Sequence, residues 1–159
     1  MDKLFNSSLG EKMNPRQIAR EIIGFMKKDE ARRYKIIIGS DSEGHNGSPA
    51  DFVTAVVVHR VGNGGRYFWR RTEFGKFFNL HDRIIQEVIL SIEVAQEILE
   101  NLKSLNAPDF SFEIHVDVGE KGETKVMIQE VLGMVRAYNF EARVKPESYA
   151  ASNVADRHV

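Results

Sequence analysis

The chain has 159 residues and no cysteine, and its 22 Lys and Arg side chains nearly balance 23 Asp and Glu side chains. This length suits one domain with a substantial core. The lack of cysteine excludes a disulfide framework and a thiolate metal site. The charge balance argues against a broad basic surface for non-specific nucleic-acid binding. No segment resembles a signal peptide or approaches roughly 18 apolar residues in a row, so we expect a soluble, cytoplasmic protein without membrane contact.

The N-terminal part of the chain divides into a predicted tail and a predicted helix. Residues 1–13 are polar and unpatterned, which indicates a flexible tail and leaves residues 14–159 as a single domain. Residues 14–17, Asn-Pro-Arg-Gln, supply an N-cap, a proline at the first helical position and a capping-box glutamine. Apolar residues at helical spacing follow, and the charged residues 27–33 end the predicted helix.

Five segments are predicted to be strands. Residues 34–39 are nearly all apolar and β-branched, which is typical of a central strand covered on both faces. Residues 52–58 and 67–69 follow, separated by the turn-forming sequence Gly-Asn-Gly-Gly. Residues 110–118 and 140–144 are the last two predicted strands.

Helices separate the later strands. A long amphipathic helix is predicted over residues 80–105, a shorter helix begins near Thr124, and Pro146 opens the last one. The first three strands form an antiparallel meander, and the last two are reached through helical crossovers, which should be right-handed. We therefore predict an α/β fold: a mixed five-stranded sheet with helices on both faces, in which the first and fourth strands are parallel neighbours.

Two of the predicted strands end in aspartate, at Asp41 and Asp117. Because neighbouring strands lie ~5 Å apart, these side chains should meet at one end of the sheet, where open α/β sheets bind ligands. Carboxylate oxygens borne on separate elements suit a hard divalent cation such as Mg²⁺. Either aspartate could instead cap the turn that follows it.

Glu87 is a third candidate ligand, on the long helix. At ~100° per residue it lies roughly 80° from the centre of the apolar stripe, at the buried boundary. Glu93, Glu97 and Glu100 project to the opposite side and should be solvated. An ion pair with Arg83 one turn earlier is the alternative for Glu87, but two nearby strand-end aspartates favour metal binding.

Three further side chains are accessory candidates. His115 shares a strand face with Asp117, so it could orient a carboxylate, contact a phosphate or be a structural histidine. Ser42 directly follows the first aspartate. Thr124 is expected to cap the next helix, whose N-terminus could attract an anion. Spacing identifies no partner for two other histidines, His45 and His158.

Basic and aromatic residues lie near the third strand and the loop beyond it. The basic ones could contact the phosphate backbone of a nucleic acid; they are Arg66, Arg70, Arg71 and Lys76. The aromatic ones could stack on bases, although core packing or a partner surface is the more common role; they are Phe74, Phe77 and Phe78.

Together these segments resemble the YkuK family, bacterial proteins predicted to be related to ribonuclease H. The resemblance extends from about residue 14 over nearly the whole chain, and the matching segments are residues 39–42, 83–87, 115–119, 133–135, 145–146 and 148–156. It implies four acidic positions: at the end of the first strand, on the long helix after the three-stranded meander, which is the first helix of the superfamily fold, at the end of the fourth strand and near the last helix. Asp41, Glu87, Asp117 and Asp156 would occupy them.

The resemblance also implies a function. It predicts a nuclease that cleaves phosphodiester bonds with two Mg²⁺ or Mn²⁺ ions, with Asp41 bridging both ions. RNA or an RNA–DNA hybrid is the substrate favoured by analogy. The alternative is a non-catalytic nucleic-acid-binding or assembly module on the same fold. The sequence does not decide the substrate, endonuclease against exonuclease action, or the oligomeric state.

Overall fold

A computed structural model describes residues 4–44, 47–145 and 147–148. In chain order its elements are β1 (Phe5–Ser7), β2 (Lys12–Met13), α1 (Pro15–Lys27), β3 (Tyr34–Glu43), β4 (Ser48–Arg60), β5 (Gly65–Phe77), α2 (Leu80–Ser104), β6 (Ser111–His115), a 3₁₀ turn (Glu123–Met127), α3 (Ile128–Ala137) and β7 (Glu141–Arg143). Over these residues no helix is both long and apolar enough to cross a membrane.

Side-chain caps fix where the first two helices begin. The Asn14 side chain accepts a hydrogen bond from the Gln17 backbone, and the Gln17 side chain accepts one from the Asn14 backbone, both at 2.8 Å. This is the predicted capping box. Asn79 caps α2 by accepting from the backbone N–H of Asp82 at 2.8 Å. The starts of both helices therefore agree with the sequence prediction.

One mixed sheet runs through the molecule in the strand order β2-β1-β5-β4-β3-β6-β7. The β3–β4 and β4–β5 pairs are antiparallel, and the β3–β6 and β6–β7 pairs are parallel. The mixed α/β architecture and the parallel first and fourth predicted strands are confirmed. The predicted number of five strands is wrong, because two short N-terminal strands extend the sheet to seven.

The N-terminal segment differs from the predicted flexible tail in its described residues. Phe5 is fully buried, Asn6 pairs with Trp69 on β5, and the Arg70 guanidinium lies 4.5 Å above the Phe5 ring. The Ser7 hydroxyl accepts hydrogen bonds that close the turn before β2. Strands of two and three residues are too short to show a hydrophobic period, and they form here because β5 offers an edge to pair with.

Strand lengths also differ from the sequence prediction. The β4–β5 ladder extends through residues 48–51, which precede the predicted second strand, with a register shift between Pro49 and Ala50. β3 continues to Glu43, so Asp41 lies inside the strand. β6 ends at His115, and Asp117 lies just beyond it. Cross-strand pairing sustains polar residues in a ladder that their own propensity would not predict.

The described helices pack on one face of the sheet. The main core unites apolar side chains of α1, α2 and α3 with alternate strand residues such as Ile36, Ile38 and Ile114, whereas Ile37 belongs to a small separate cluster on the other face. The prediction of helices on both faces is therefore not met by the described residues. The last predicted helix, which begins at Pro146, lies outside them.

If the N-terminal strands are part of the core, truncating Phe5 should destabilise the protein. We expect Phe5→Ala to lower the free energy of unfolding by about 3–5 kcal/mol, because it removes a buried ring and leaves a cavity. Urea denaturation measures this. Leu9→Ala is the matched control, since Leu9 is 80% exposed, and should change stability by less than about 0.5 kcal/mol. Equal effects of the two substitutions would mean that the segment is a tail.

Candidate functional site

The parallel pairing of β3 with β6 brings two aspartates to one end of the sheet. The last paired residues are Gly39 and His115. Asp41 and Asp117 each follow their member of this pair by two residues. The two carboxylates therefore lie at equivalent positions on adjacent strands, as expected for carboxyl ends of parallel strands.

A buried network of hydroxyl groups holds α2 against this part of the sheet. The Ser40 Oγ lies 3.0 Å from Thr54 Oγ1 on β4 and 2.8 Å from Ser91 Oγ on α2. Ser42, two residues further along the strand, donates from its Oγ to Glu87 Oε2 at 2.5 Å. Ser40 and Ser42 are two residues apart on one strand face, and Ser91 and Glu87 are four residues apart on one helix face. The Ser40–Ser91 contact therefore places Glu87 next to Ser42.

Glu87 is almost completely removed from water. Its residue exposure is 5%, and no hydrogen-bond partner of Oε1 is found within the described part of the chain. Burial raises the pKa of Glu87 well above its ordinary value, and the negative charges of Asp41 and Asp117 raise it further, while the Ser42 bond lowers it. Burial therefore favours the protonated form of this carboxyl group, and a bound cation would compensate the charge of the ionised form.

The alternative of a simple Glu87–Arg83 ion pair is not what the contacts indicate. Arg83 Nη1 donates to the carbonyl of Gly44 at 2.6 Å, which anchors the segment that follows β3 onto α2. The Arg83 charge lowers the pKa of Glu87, but it is the smallest of the influences on that group. No ion pair joins Arg83 and Glu87 among the described residues, so Arg83 mainly positions the loop.

Lys145 is a site residue that the sequence analysis did not identify as one. Its Nζ lies 2.8 Å from Asp117 Oδ1. Its backbone N–H donates to the Val118 carbonyl at 2.8 Å, and a Cβ at Gly119 would lie 2.8 Å from the Lys145 Cβ. Position 119 therefore needs glycine for this approach. No local spacing predicts the contact, because Lys145 lies 28 positions after Asp117.

His115 bonds a glutamate rather than the nearby aspartate. Its Nε2 lies 2.8 Å from Glu113 Oε1, and Lys35 and Arg143 lie within 4 Å of the same carboxylate. Burial lowers the pKa of His115, which favours the neutral imidazole. His115 also lines a narrow cleft together with Glu87 and Asp117. The carboxylate that His115 contacts is therefore that of Glu113, on the strand face away from the helices, and not that of Asp117.

Thr124 does not cap a helix. Its hydroxyl accepts a hydrogen bond from the backbone N–H of Gly119 at 3.1 Å, and a 3₁₀ turn whose cap, Gly122, provides no side-chain bond precedes α3. The expected cap is wrong because Thr124 reaches back across the loop. It thereby closes the glycine-containing connection directly after Asp117.

The predicted basic residues do not form one track. Arg70 lies on the helix side of β5, is 8% exposed and stacks over Phe5, so its assignment to substrate contact conflicts with its burial. Arg66 stacks on Phe25 of α1. Arg71 pairs with Val53, which pairs with Asp41, so Arg71 lies in the row of that aspartate, on the same face.

Other predicted residues near β5 are divided between core and surface. Phe74 and Phe77 pack edge-on against Phe52, with ring centroids 5.4 Å apart in each pair. They are therefore partly buried against a small apolar cluster that includes Phe52, which favours a packing role over base stacking. Phe78 is 69% exposed, and Lys76 is exposed on β5.

The fourth predicted carboxylate cannot be placed. Asp156, His45 and His158 lie outside the described residues. Among the residues that the structure does describe, no three His, Asp or Glu side chains are arranged to hold a metal ion. Strand alternation provides a physical reason, because Ser40 and Ser42 face α2 and Asp41 between them therefore points to the opposite face of the sheet from Glu87. In addition, Asp117 is paired with the ammonium group of Lys145.

Relatives of the chain identify its family. A family profile described as Ribonuclease H-like matches residues 17–159, so the chain belongs to the ribonuclease H-like family. It is also similar to Uncharacterized protein YkuK of Bacillus subtilis (strain 168), with 32% identity over 168 residues that cover 97% of this chain and 95% of that protein. The resemblance to the YkuK family is thereby confirmed. No solved structure matches the chain significantly.

The raised pKa of Glu87 predicts a pH-dependent stability of the metal-free protein. Above pH 4.5, the ordinary value for glutamate, the folded state binds a proton that the unfolded state has lost, so stability falls as pH rises toward the folded pKa. Glu87→Gln removes this loss. With a chelator present, we expect its advantage over the wild type to grow from pH 4.5 upward, by at most about 1.4 kcal/mol per pH unit.

Urea denaturation at several pH values measures this difference. Glu100→Gln is the matched control, since Glu100 is exposed on the same helix, and should follow the wild type at every pH. A Glu87→Gln curve that runs parallel to the wild type would show that Glu87 is not buried in its uncharged form.

Proposed function

We propose that this protein is a divalent-metal-dependent nuclease that hydrolyses phosphodiester bonds in nucleic acid. Asp41, Glu87, Asp117 and Asp156 are the proposed metal ligands. The observation that carries the proposal is the buried Glu87 carboxyl group, whose Oε1 has no partner among the described residues. Two further carboxylates influence its charge from the adjacent strand ends. Membership in the ribonuclease H-like family supports the same conclusion.

The donor set fits a hard cation. All four proposed ligands are carboxylates, and Mg²⁺ and Mn²⁺ prefer such oxygen ligands. A cation next to Glu87 would satisfy the buried Oε1 and would compensate the repulsion from Asp41 and Asp117 that raises the pKa of Glu87. When two ions are bound at such a site, they lower the pKa of a water nucleophile and stabilise charge on the leaving oxygen.

The remaining residues have positioning roles in this proposal. Ser42 orients Glu87 through its 2.5 Å bond, and the Ser40–Ser91 contact fixes the distance between β3 and α2. Arg71 is the proposed contact for the substrate backbone, because it shares a sheet row and face with Asp41. A guanidinium binds phosphate oxygens without reading the base sequence.

Removal of the central aspartate should abolish cleavage. We expect Asp41→Asn to reduce Mn²⁺-dependent nuclease activity by at least about a thousandfold, a loss of roughly 4 kcal/mol of transition-state stabilisation. The assay panel is an RNA–DNA hybrid, single-stranded RNA, duplex DNA and a four-way junction, each with and without EDTA. Asp109→Asn is the control, because Asp109 is an exposed aspartate two residues before the start of β6.

Two further measurements complete this test: the stability of the protein in Mn²⁺ and the turnover of a variant at another proposed ligand. Millimolar Mn²⁺ at ten times its dissociation constant should add about 1.4 kcal/mol of stability, which Asp41→Asn should lose. Asp156→Asn should lower turnover while the protein remains folded. Cleavage that persists in EDTA would overturn the proposed mechanism. Nucleic-acid binding with no metal-induced stabilisation would instead indicate the non-catalytic binding module.

The position of Arg71 predicts an effect on nucleic-acid affinity. We expect Arg71→Ala to weaken binding to every sequence about equally and to reduce the slope of log affinity against log salt by about one phosphate contact. Arg66→Ala is the control, since Arg66 stacks on Phe25 on the helix side of the sheet. Filter binding or fluorescence anisotropy over a range of salt measures both. A salt slope of Arg71→Ala that equals the wild-type slope would show that Arg71 does not contact the nucleic acid.

A further inference from the structure

The ion pair between Lys145 and Asp117 lies at the mouth of the proposed site. Its atoms are 2.8 Å apart, and the side chains of Lys145 and Asp117 are 57% and 26% exposed. The pair is therefore accessible to solvent, where such contacts are weak and exchangeable. The ammonium group provides a positive charge beside a carboxylate that the proposed function assigns to a metal ion.

The backbone around Lys145 is fixed, whereas its side chain is long. The Lys145 N–H bonds the Val118 carbonyl, and the Glu147 N–H bonds the Val144 carbonyl at 2.9 Å. Gly119 packs directly under the Lys145 Cβ. Rotation about the four-carbon stem can therefore move the ammonium group away from Asp117 without moving the strand ends.

A cleft next to this ion pair can accommodate the Lys145 side chain after it leaves Asp117. It has a volume of about 510 Å³, within the range of small-ligand sites, and its lining includes Lys121, Lys145, Ile128 and Val144. The apolar walls suit the faces of a nucleotide base, and the two lysines, which share the lining with Glu120 and Glu147, provide the positive charges for its phosphate. The cleft adjoins the carboxylates through Lys145 itself.

We propose that Lys145 is a cation-displaceable positioning residue. In the metal-free protein its ammonium group neutralises Asp117, and a divalent cation bound by Asp117 releases it into the adjacent cleft, where it contacts a substrate phosphate. This inference rests on the proposed function. It makes cation and phosphate binding mutually favourable, because each ligand stabilises the same position of Lys145.

Calorimetric titration with Mn²⁺ tests the first half of this inference. Lys145→Met removes the competitor for Asp117, so we expect Mn²⁺ to bind about two- to fivefold more tightly than in the wild type, as the strength of exposed ion pairs implies. Lys121→Met is the matched control, since it removes an equal charge from the same cleft. Its Mn²⁺ affinity should remain within the error of the wild-type value.

Lysine side-chain NMR tests the second half. In protein with ¹³C-labelled lysine, the Lys145 signal, assigned by its absence in Lys145→Met, should shift when Mg²⁺ is added. Inorganic phosphate, used as the probe, should then shift this signal further with Mg²⁺ present and less without it. A phosphate response that is equal with and without Mg²⁺ would overturn the coupling.

The outcomes separate this inference from the proposed function. Absence of Mn²⁺ binding in the wild type would refute the metal site and the inference together. Normal Mn²⁺ binding with unchanged affinity in Lys145→Met would refute only the role of Lys145. Equal gains in Lys145→Met and Lys121→Met would also refute it, because they would reflect general charge repulsion.

Discussion

The removal of the Glu87 carboxyl group from water is the constraint on which the rest of the site depends. Burial without compensation is costly for a charged group, and Ser42 satisfies only one of its two oxygens. The second oxygen has no hydrogen-bond partner among the described residues, and a proton or a cation there would remove this cost. A side chain that is stable in either of these two states is well suited to a site that exchanges metal ions, and a permanently paired glutamate would not be.

The sheet makes this burial possible by using its two faces differently. On the helix side, the hydroxyl groups of Ser40, Thr54 and Ser91 replace apolar contacts at the point where α2 reaches the strand end. On the other face, Glu113 contacts both Lys35 and His115. Hydrogen bonds within each cluster stabilise these buried polar groups, although His115 Nδ1 has no partner within the part of the chain that the structure describes. The metal ligands are proposed to lie between the two, where β3 and β6 end.

Local chemistry explains which features the sequence predicted. The Asn14–Gln17 capping box and the position of Glu87 follow from spacings of three and four residues, and the parallel neighbours follow from crossover rules. Features set by distant pairing were missed. Phe5 is buried only because β5 offers a partner, and Lys145 reaches Asp117 only because β6 and β7 are adjacent. The sequence alone could not assign Arg70 and Arg71 to opposite faces of the sheet, because this assignment depends on the observed strand register.

The lengths of the outermost strands have a consequence for the behaviour of the protein at high concentration. β2 has two residues and β7 has three, although β4 and β5 are each thirteen residues long. A short terminal strand exposes few backbone groups to which another copy of the chain could add. The sheet therefore keeps β4, whose residues 53–58 are mostly β-branched, paired along both edges by β3 and β5, where it cannot template intermolecular association or amyloid-like growth.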